Sequence, residues 1–327
     1  MTWLIFVASS AALVAAAVKL AEYGDVIAVR TRMGGMFIGV LLLAGATSLP
    51  EMLTMINSFR VGAPGLAAGN MFGSNMFNML LLAVLDLLNQ QARILRRVAM
   101  THALTAALAS AMIGLSAFFI LADIPAKIGW MGLDSLALIL VYVAGIRLIQ
   151  LNGQASSTTV DIPEDEPLMP LWHAFLGFAA ATMALVIITP YLVRSSNEIA
   201  EITGLSTGFV GTTLLAMVTS LPETVAVVAA ARLGAYDMAV GNLFGSNVFN
   251  MLALGVADAF YTPGRFLGAI DPTFALVAML GLLLTILALI GNLARVERRL
   301  VFVEADALLI LLLYFGGMAF LYMRGIG

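Results

Sequence analysis

Thr47-Ser48-Leu49-Pro50-Glu51 recurs unchanged, 172 positions later, as Thr219-Ser220-Leu221-Pro222-Glu223. The same offset, applied without a gap, lays Gly69–Leu80 (GNMFGSNMFNML) on Gly241–Leu252 (GNLFGSNVFNML), with ten of twelve residues identical. Arg60 falls on Arg232, Gly62 on Gly234 and Asp86 on Asp258. Apolar low-complexity sequence produces chance Leu and Ala matches, but it does not hold polar residues and glycines in one register. The chain is a duplication, and internal repetition of this kind governs the reading of the fold.

The flanking sequence says what solvent the repeats meet. Of 327 residues, 61% are hydrophobic and 11% are charged, with a mean hydropathy of +1.02. Soluble domains run at about 45–50% apolar and about 25% charged. A globular core of this length could not hide so much apolar surface, so the solvent is lipid. Backbone groups in lipid must bond internally, which leaves helices or closed barrels. Leu136–Ile149, Ala174–Val193 and Ala307–Met323 are continuous apolar runs rather than ten-residue alternations, so the expected class is all-α. The first 20 residues have no basic stretch ahead of their apolar run and read as a retained span rather than a cleaved signal. Cysteine is absent, which excludes disulfides and thiolate metal sites. A net charge of −3 points to no polyanionic partner, so nucleic acid is not expected.

Spans of about 20 residues fit between the polar breaks at 3–21, 33–59, 67–88, 98–121, 130–149, 171–193, 205–231, 239–260, 273–292 and 305–323. The expectation is a polytopic membrane protein of ten transmembrane helices, five in each repeat. Residues 1–149 form the first repeat, 150–170 an acidic linker, and 171–327 the second repeat. An odd number of spans per repeat inverts the second copy in the membrane, an architecture of secondary transporters. The 16 Lys and Arg residues then divide unevenly. Arg60, Lys127, Arg194, Arg265 and Arg324 lie on the side of the N-terminus, and the other eleven lie opposite. Positive charge marks the cytoplasmic face, so both termini are expected outside an inner (plasma) membrane. The linker, with Asp161, Glu164, Asp165 and Glu166, is expected inside, as a solvated connection or a regulatory cation-binding loop.

Glu51 and Glu223 fall deep inside the second and seventh spans. A charged residue at mid-bilayer costs roughly 2.5–3.5 kcal/mol on insertion scales, and the closest basic residues in sequence, Arg60 and Arg232, are near the span ends. The two acids are either a protonated, hydrogen-bonded pair or one shared cation site, and their matched places in opposed repeats favour the site. Each follows a proline, which removes a backbone donor and disfavours helix at the residue before it. The second and seventh helices should therefore break near Ser48-Leu49 and Ser220-Leu221, freeing carbonyls beside Thr47 and Thr219. Broken helices at matched positions in two halves point to a transport site.

Asn70, Ser74 and Asn78 are spaced by four and share one helix face, as do Asn242, Ser246 and Asn250. They either join helices by hydrogen bonds or complete the site; Asn75 and Asn247 lie off this stripe and read as structural. Gly69 and Gly73, with Gly241 and Gly245, form small-xxx-small patterns that let helices approach closely. The candidate donors are all hard oxygens. Ca²⁺ takes about 6–8 oxygens with tolerant geometry and is neutralised by two carboxylates, whereas Mg²⁺ dehydrates reluctantly. His102 and His173, at span ends, read as interfacial. No Ser/His/Asp arrangement, HExxH motif or nucleotide-binding loop appears, so neither an enzyme nor a cofactor is expected.

These motifs resemble the calcium/cation antiporter superfamily, and the sodium/calcium exchangers most closely, over nearly the whole chain. The resemblance implies alternating access, with Ca²⁺ and the driving ions competing for one central metal site. It implies that Glu51 and Glu223 bind Ca²⁺, that Thr47, Ser48, Thr219, Ser220, Ser74 and Ser246 contribute to flanking Na⁺ positions, and that Asn78 and Asn250 complete the centre. The family's Gly before Thr-Ser is Ala46 in one repeat and Val218 in the other, and Asn250 stands where Asp is frequent. Proton/calcium exchange, with the two glutamates carrying the protons, is the alternative driver, although the proton exchangers' G-N-x-x-E motif is absent. A cation channel is the remaining reading. The expected partners are Ca²⁺, Na⁺ or H⁺ and the lipid bilayer, with no obligatory protein partner.

Overall fold

A computed structural model describes residues 1–31, 44–88, 99–153, 169–293, 299–300 and 303–326. The described chain is almost entirely helical: α1 (Thr2–Arg30), α2 (Leu49–Arg60), α3 (Pro64–Leu88), α4 (Ala99–Ala122) and α5 (Leu133–Gly153), then α6 (Leu171–Thr203). A composite follows, of α7 (Thr207–Val210), a π-helical turn (Gly211–Leu215) and α8 (Ala216–Thr219). It leads to α9 (Leu221–Arg232), α10 (Tyr236–Ala257), the short α11 (Phe266–Ala269), α12 (Phe274–Leu293) and α13 (Ala305–Arg324). Among the described residues, eight helices are long and apolar enough to cross a membrane, or nine if the bent pair 207–219 and 221–232 is one span. Of the expected second span, only the part from residue 44 is described, and most of the acidic linker lies outside the described residues.

The duplication is visible in the element bounds. Leu49 and Arg60, which bound α2, sit 172 residues before Leu221 and Arg232, which bound α9. The starts of α3 and α10, and of α5 and α13, keep the same offset. So do two small antiparallel hairpins, β1 (Lys127–Ile128) with β2 (Met131–Gly132), and β3 (Arg299–Leu300) with β4 (Val303–Glu304). These hairpins were not expected from the sequence, because two-residue strands carry no periodicity of their own.

The core divides into two apolar clusters. The larger runs through α3, α4, α9, α10, α12 and α13, and includes Phe72, Phe244, Phe266 and Phe274. The smaller is built on α1 and α6, which pack along each other, with Phe6, Leu13, Leu185 and Leu192. Ala46, Leu66, Val210, Leu215 and Val218 join this second cluster, so α2 and α7–α9 run along the seam between the two. Outward-facing Phe118, Leu140, Leu176, Met183 and Phe315 remain exposed, as expected where lipid rather than water is the neighbour.

Glycine sets how closely the elements cross at that seam. A Cβ on Gly69 would lie 2.4 Å from the Gly208 carbonyl, and one on Gly73 would lie 2.5 Å from the Thr212 carbonyl. A Cβ on Gly211 would meet the Leu66 carbonyl at 2.6 Å. The α3 backbone therefore rests on the backbone of α7 and the π turn, as the small-xxx-small pattern predicts for the first repeat. On the face where α4 meets α5, Arg265 donates to Asp134 (2.9 Å) and pairs with Asp123. Asp258 accepts from the backbone N–H of Gly132 and of Phe266.

Candidate functional site

The prolines break the helices where expected. Residues 44–47 form a helical turn that stops at Ser48 (φ −89°, ψ 5°), and α2 begins at Leu49 with Pro50 in its first turn. Ser220 has the same conformation (φ −88°, ψ 5°) between α8 and α9, where the axes bend by 43°. Pro50 and Pro222 have no N–H to give the carbonyls of Ala46 and Val218. The break leaves Glu51 and Glu223 in the first turns of α2 and α9. There, unpaired N–H groups and the helix dipole favour negative charge.

The two carboxylates are buried, at 0% and 1% exposure, and each is held from the opposite repeat. Ser48 Oγ donates to Glu223 Oε1 (3.1 Å), and Ser220 Oγ donates to Glu51 Oε1 (3.3 Å). Thr47 adjoins Glu223, and Thr219 adjoins Glu51. Each broken helix thus supplies an acid to the pair and a hydroxyl to the other acid.

Both stripes, on α3 and α10, are fully buried, and the α3 stripe meets the broken helices, with Asn70 Nδ2 3.5 Å from the Glu51 carbonyl and Ser74 Oγ 3.4 Å from Thr219 Oγ1. At their inner ends the asparagines exchange hydrogen bonds crosswise. Asn78 Nδ2 donates to Asn247 Oδ1 (2.9 Å), Asn250 Nδ2 to Asn75 Oδ1 (3.0 Å), and Asn247 Nδ2 to the Asn75 carbonyl (3.4 Å). Asn75 and Asn247 therefore do more than fill space: they consume the amide donors of Asn78 and Asn250 and turn those side-chain oxygens away from the clasp. Sequence spacing alone missed this, because residues three apart on one helix meet residues of the other helix rather than each other.

Eight buried side-chain atoms of this constellation have no hydrogen-bond partner among the described residues: Glu51 Oε2, Glu223 Oε2, Asn78 Oδ1, Asn250 Oδ1, Ser246 Oγ, Asn75 Nδ2, and both Asn242 amide atoms. Leaving a buried polar atom unsatisfied costs about 1–3 kcal/mol, more if it is charged. Most such atoms in native proteins are paired, and exceptions call for an explanation such as a bound ion. Six of the eight are oxygens, two of them on carboxylates. That donor set suits a hard cation. Among the described residues no cluster of three or more acids or histidines exists, so the two glutamates are the charge that such an ion would meet.

His102, at the start of its candidate span, is buried against the protein, with Nε2 3.8 Å from Asp237 Oδ1, and its ring lies where a Cβ on Gly241 would sit. His173 is exposed and stacks on Trp172. Ala46 and Val218, which depart from the family's glycine, are buried in the α1–α6 cluster. The cavity of about 440 Å³ lined by Gly62, Asn197, Glu201, Thr207 and Asp271 lies apart from the glutamates, at the ends of α2 and α6.

The family described as sodium/calcium exchanger protein matches residues 1–149 and 173–323. A protein designated CaxA in Alkalimonas amylolytica is 29% identical over 285 residues, which cover 80% of this chain and 82% of CaxA. Among solved structures, the sodium-calcium exchanger NCX_Mj aligns with a TM-score of 0.61 at 22% identity, covering 98% of this chain and 99% of that one. The H⁺/Ca²⁺ exchanger CAX aligns with a TM-score of 0.66 at 13% identity, covering 99% and 88%. At these identities the structural likeness speaks for the fold.

Proposed function

The chain belongs to the sodium/calcium exchanger protein family, a family of membrane transporters rather than enzymes, and from that premise we propose that it is a secondary antiporter exchanging Ca²⁺ for Na⁺ at one central site. Ten spans in two inverted five-helix repeats, with both termini outside an inner membrane, give this site two mirrored halves. Glu51 and Glu223 carry the charge that neutralises Ca²⁺. Asn78 and Asn250 add amide oxygens, and Thr47, Ser48, Ser74, Thr219, Ser220 and Ser246 supply hydroxyls and adjoining carbonyls for flanking Na⁺ positions.

One observation carries this reading: the crosswise bonding of each glutamate by the other repeat's serine, with one oxygen of each carboxylate buried and unpartnered. Two carboxylates held this way form one pocket, not two, so Ca²⁺ and the driving ions compete for it. Competition at a single buried site, reached alternately from the two faces, is sufficient for antiport. A channel would need a continuous wet path, and both acids are fully buried.

The test is Ca²⁺ flux in proteoliposomes carrying the purified protein, with a Na⁺ gradient or a H⁺ gradient imposed separately. Uptake driven by the Na⁺ gradient alone is the expected result. Uptake driven by the H⁺ gradient alone would replace Na⁺ with protons carried on Glu51 and Glu223. Ca²⁺ movement that needs neither gradient would identify a channel.

A further inference from the structure

The two halves of the pocket carry matching motifs, but their hydrogen bonding does not match. In the first-repeat half, Asn70 is fixed at both ends. Its Nδ2 donates to Thr54 Oγ1 (2.9 Å), its Oδ1 accepts from Thr219 Oγ1 (3.0 Å), and Ser74 Oγ lies 3.4 Å from Thr219 Oγ1. Thr54 is itself anchored, donating to the carbonyls of Pro50 and Glu51. Asn70, Ser74, Thr54 and Thr219 thus make a closed polar chain.

The equivalents of Asn70 and Ser74, 172 residues on, are Asn242 and Ser246, buried at 1% and 0%. The equivalent of Thr54 is Ala226, which has no hydroxyl to accept the amide. Thr47 donates to the Ala44 carbonyl (3.2 Å) just as its equivalent Thr219 donates to the Ala216 carbonyl (3.3 Å), but among the described residues only Thr219 also bonds an asparagine. Among the described residues, Asn242 Nδ2, Asn242 Oδ1 and Ser246 Oγ have no partner.

We propose that this asymmetry assigns different work to the two stripes: Asn70 is a strut held by Thr54, whereas Asn242, freed by Ala226, is with Ser246 a direct ligand of the transported cation. Position 226 then determines specificity by leaving the Asn242 amide free to turn its oxygen to the ion.

This inference rests on the antiport reading, and its test separates the two. Wild type, Asn242→Ala, Asn242→Asp, Ala226→Thr and Asn70→Ala are compared in Ca²⁺ flux and in thermal unfolding of detergent-solubilised protein with and without Ca²⁺. Asn242→Ala should raise the Ca²⁺ half-saturation about tenfold or more and lose most of the Ca²⁺-induced rise in Tm, with its Tm without Ca²⁺ unchanged. Asn242→Asp, which keeps an oxygen, should retain the Ca²⁺-induced rise. Ala226→Thr, which restores the missing hydroxyl, should shift half-saturation in the same direction as Asn242→Ala while leaving Tm without Ca²⁺ unchanged or higher. Asn70→Ala should instead lower Tm without Ca²⁺. Wild-type half-saturation in Asn242→Ala, or the same profile in the Asn70 and Asn242 variants, would overturn the assignment. If Ala226→Thr does not fold, the Asn242 pair decides alone. Wild-type protein that moves no Ca²⁺ under any gradient yet loses Ca²⁺ stabilisation on Asn242→Ala would overturn the antiport reading and keep the ligand assignment.

Discussion

Replacing Glu51 by glutamine changes the charge of the pocket while keeping its shape. Glutamine retains an oxygen to accept the Ser220 hydroxyl, now 3.3 Å from Glu51 Oε1, so the crosswise bonding survives. It puts an NH₂ group where the carboxylate holds its unpartnered Oε2. Unit charges about 4 Å apart interact by about 4 kcal/mol at an effective dielectric near 20, so a divalent ion loses about 8 kcal/mol of attraction. Against this stands the several kcal/mol that burying a carboxylate costs and glutamine does not. The net loss is about 3–5 kcal/mol, or roughly 100- to 5,000-fold in Ca²⁺ affinity. The assay is the Ca²⁺ dependence of flux in proteoliposomes, with Tm measured in parallel. Glu51→Gln, and likewise Glu223→Gln, should abolish transport at Ca²⁺ levels that saturate wild type, while Tm without Ca²⁺ stays level or rises. Wild-type half-saturation in either variant would refute the shared pocket.

Three further outcomes are expected. Gly73→Ala places a methyl 2.5 Å from the Thr212 carbonyl and 2.7 Å from Ala216 Cβ; overpacking of this kind costs about 1–3 kcal/mol, so thermal unfolding should come earlier, and an unchanged Tm would mean that α3 and the π turn do not touch. A cysteine introduced at Ser157 in this cysteine-free chain should resist a membrane-impermeant thiol reagent in intact cells, and ready labelling would reverse the orientation. Asn250→Asp adds a third acid to the pocket and should steepen the Na⁺ dependence of Ca²⁺ transport, more so as pH rises, because the new acid acts only when ionised; a slope equal to wild type at every pH would contradict this.

The breaks at Ser48 and Ser220 were legible because proline acts on its own backbone, and the matched offset of 172 doubled the signal. Most span bounds were legible to within a few residues because lipid leaves the backbone no alternative to helix, but α1 and α6 run nine and ten residues past the expected ends at 21 and 193. The crosswise pairing of Ser48 with Glu223, and of Asn78 with Asn247, was not legible. It depends on how two broken helices face each other across the seam, which no local spacing encodes. Asn70 and Asn242 looked interchangeable in sequence, and only the partner supplied by Thr54, absent at Ala226, tells them apart. The burial of His102 was hidden for the same reason: its place at a span end was visible, but not that Gly241 on α10 makes room for its ring.

The central claim, one pocket shared by Ca²⁺ and its driving ions, is tested most directly by equilibrium binding of radioactive Ca²⁺ to the purified protein in competition with Na⁺. One Ca²⁺ should bind per chain, Na⁺ should displace it completely with a Hill slope above one, and either Glu51→Gln or Glu223→Gln should remove the binding. Two Ca²⁺ per chain, or full Ca²⁺ binding that survives in either single variant, would contradict the account.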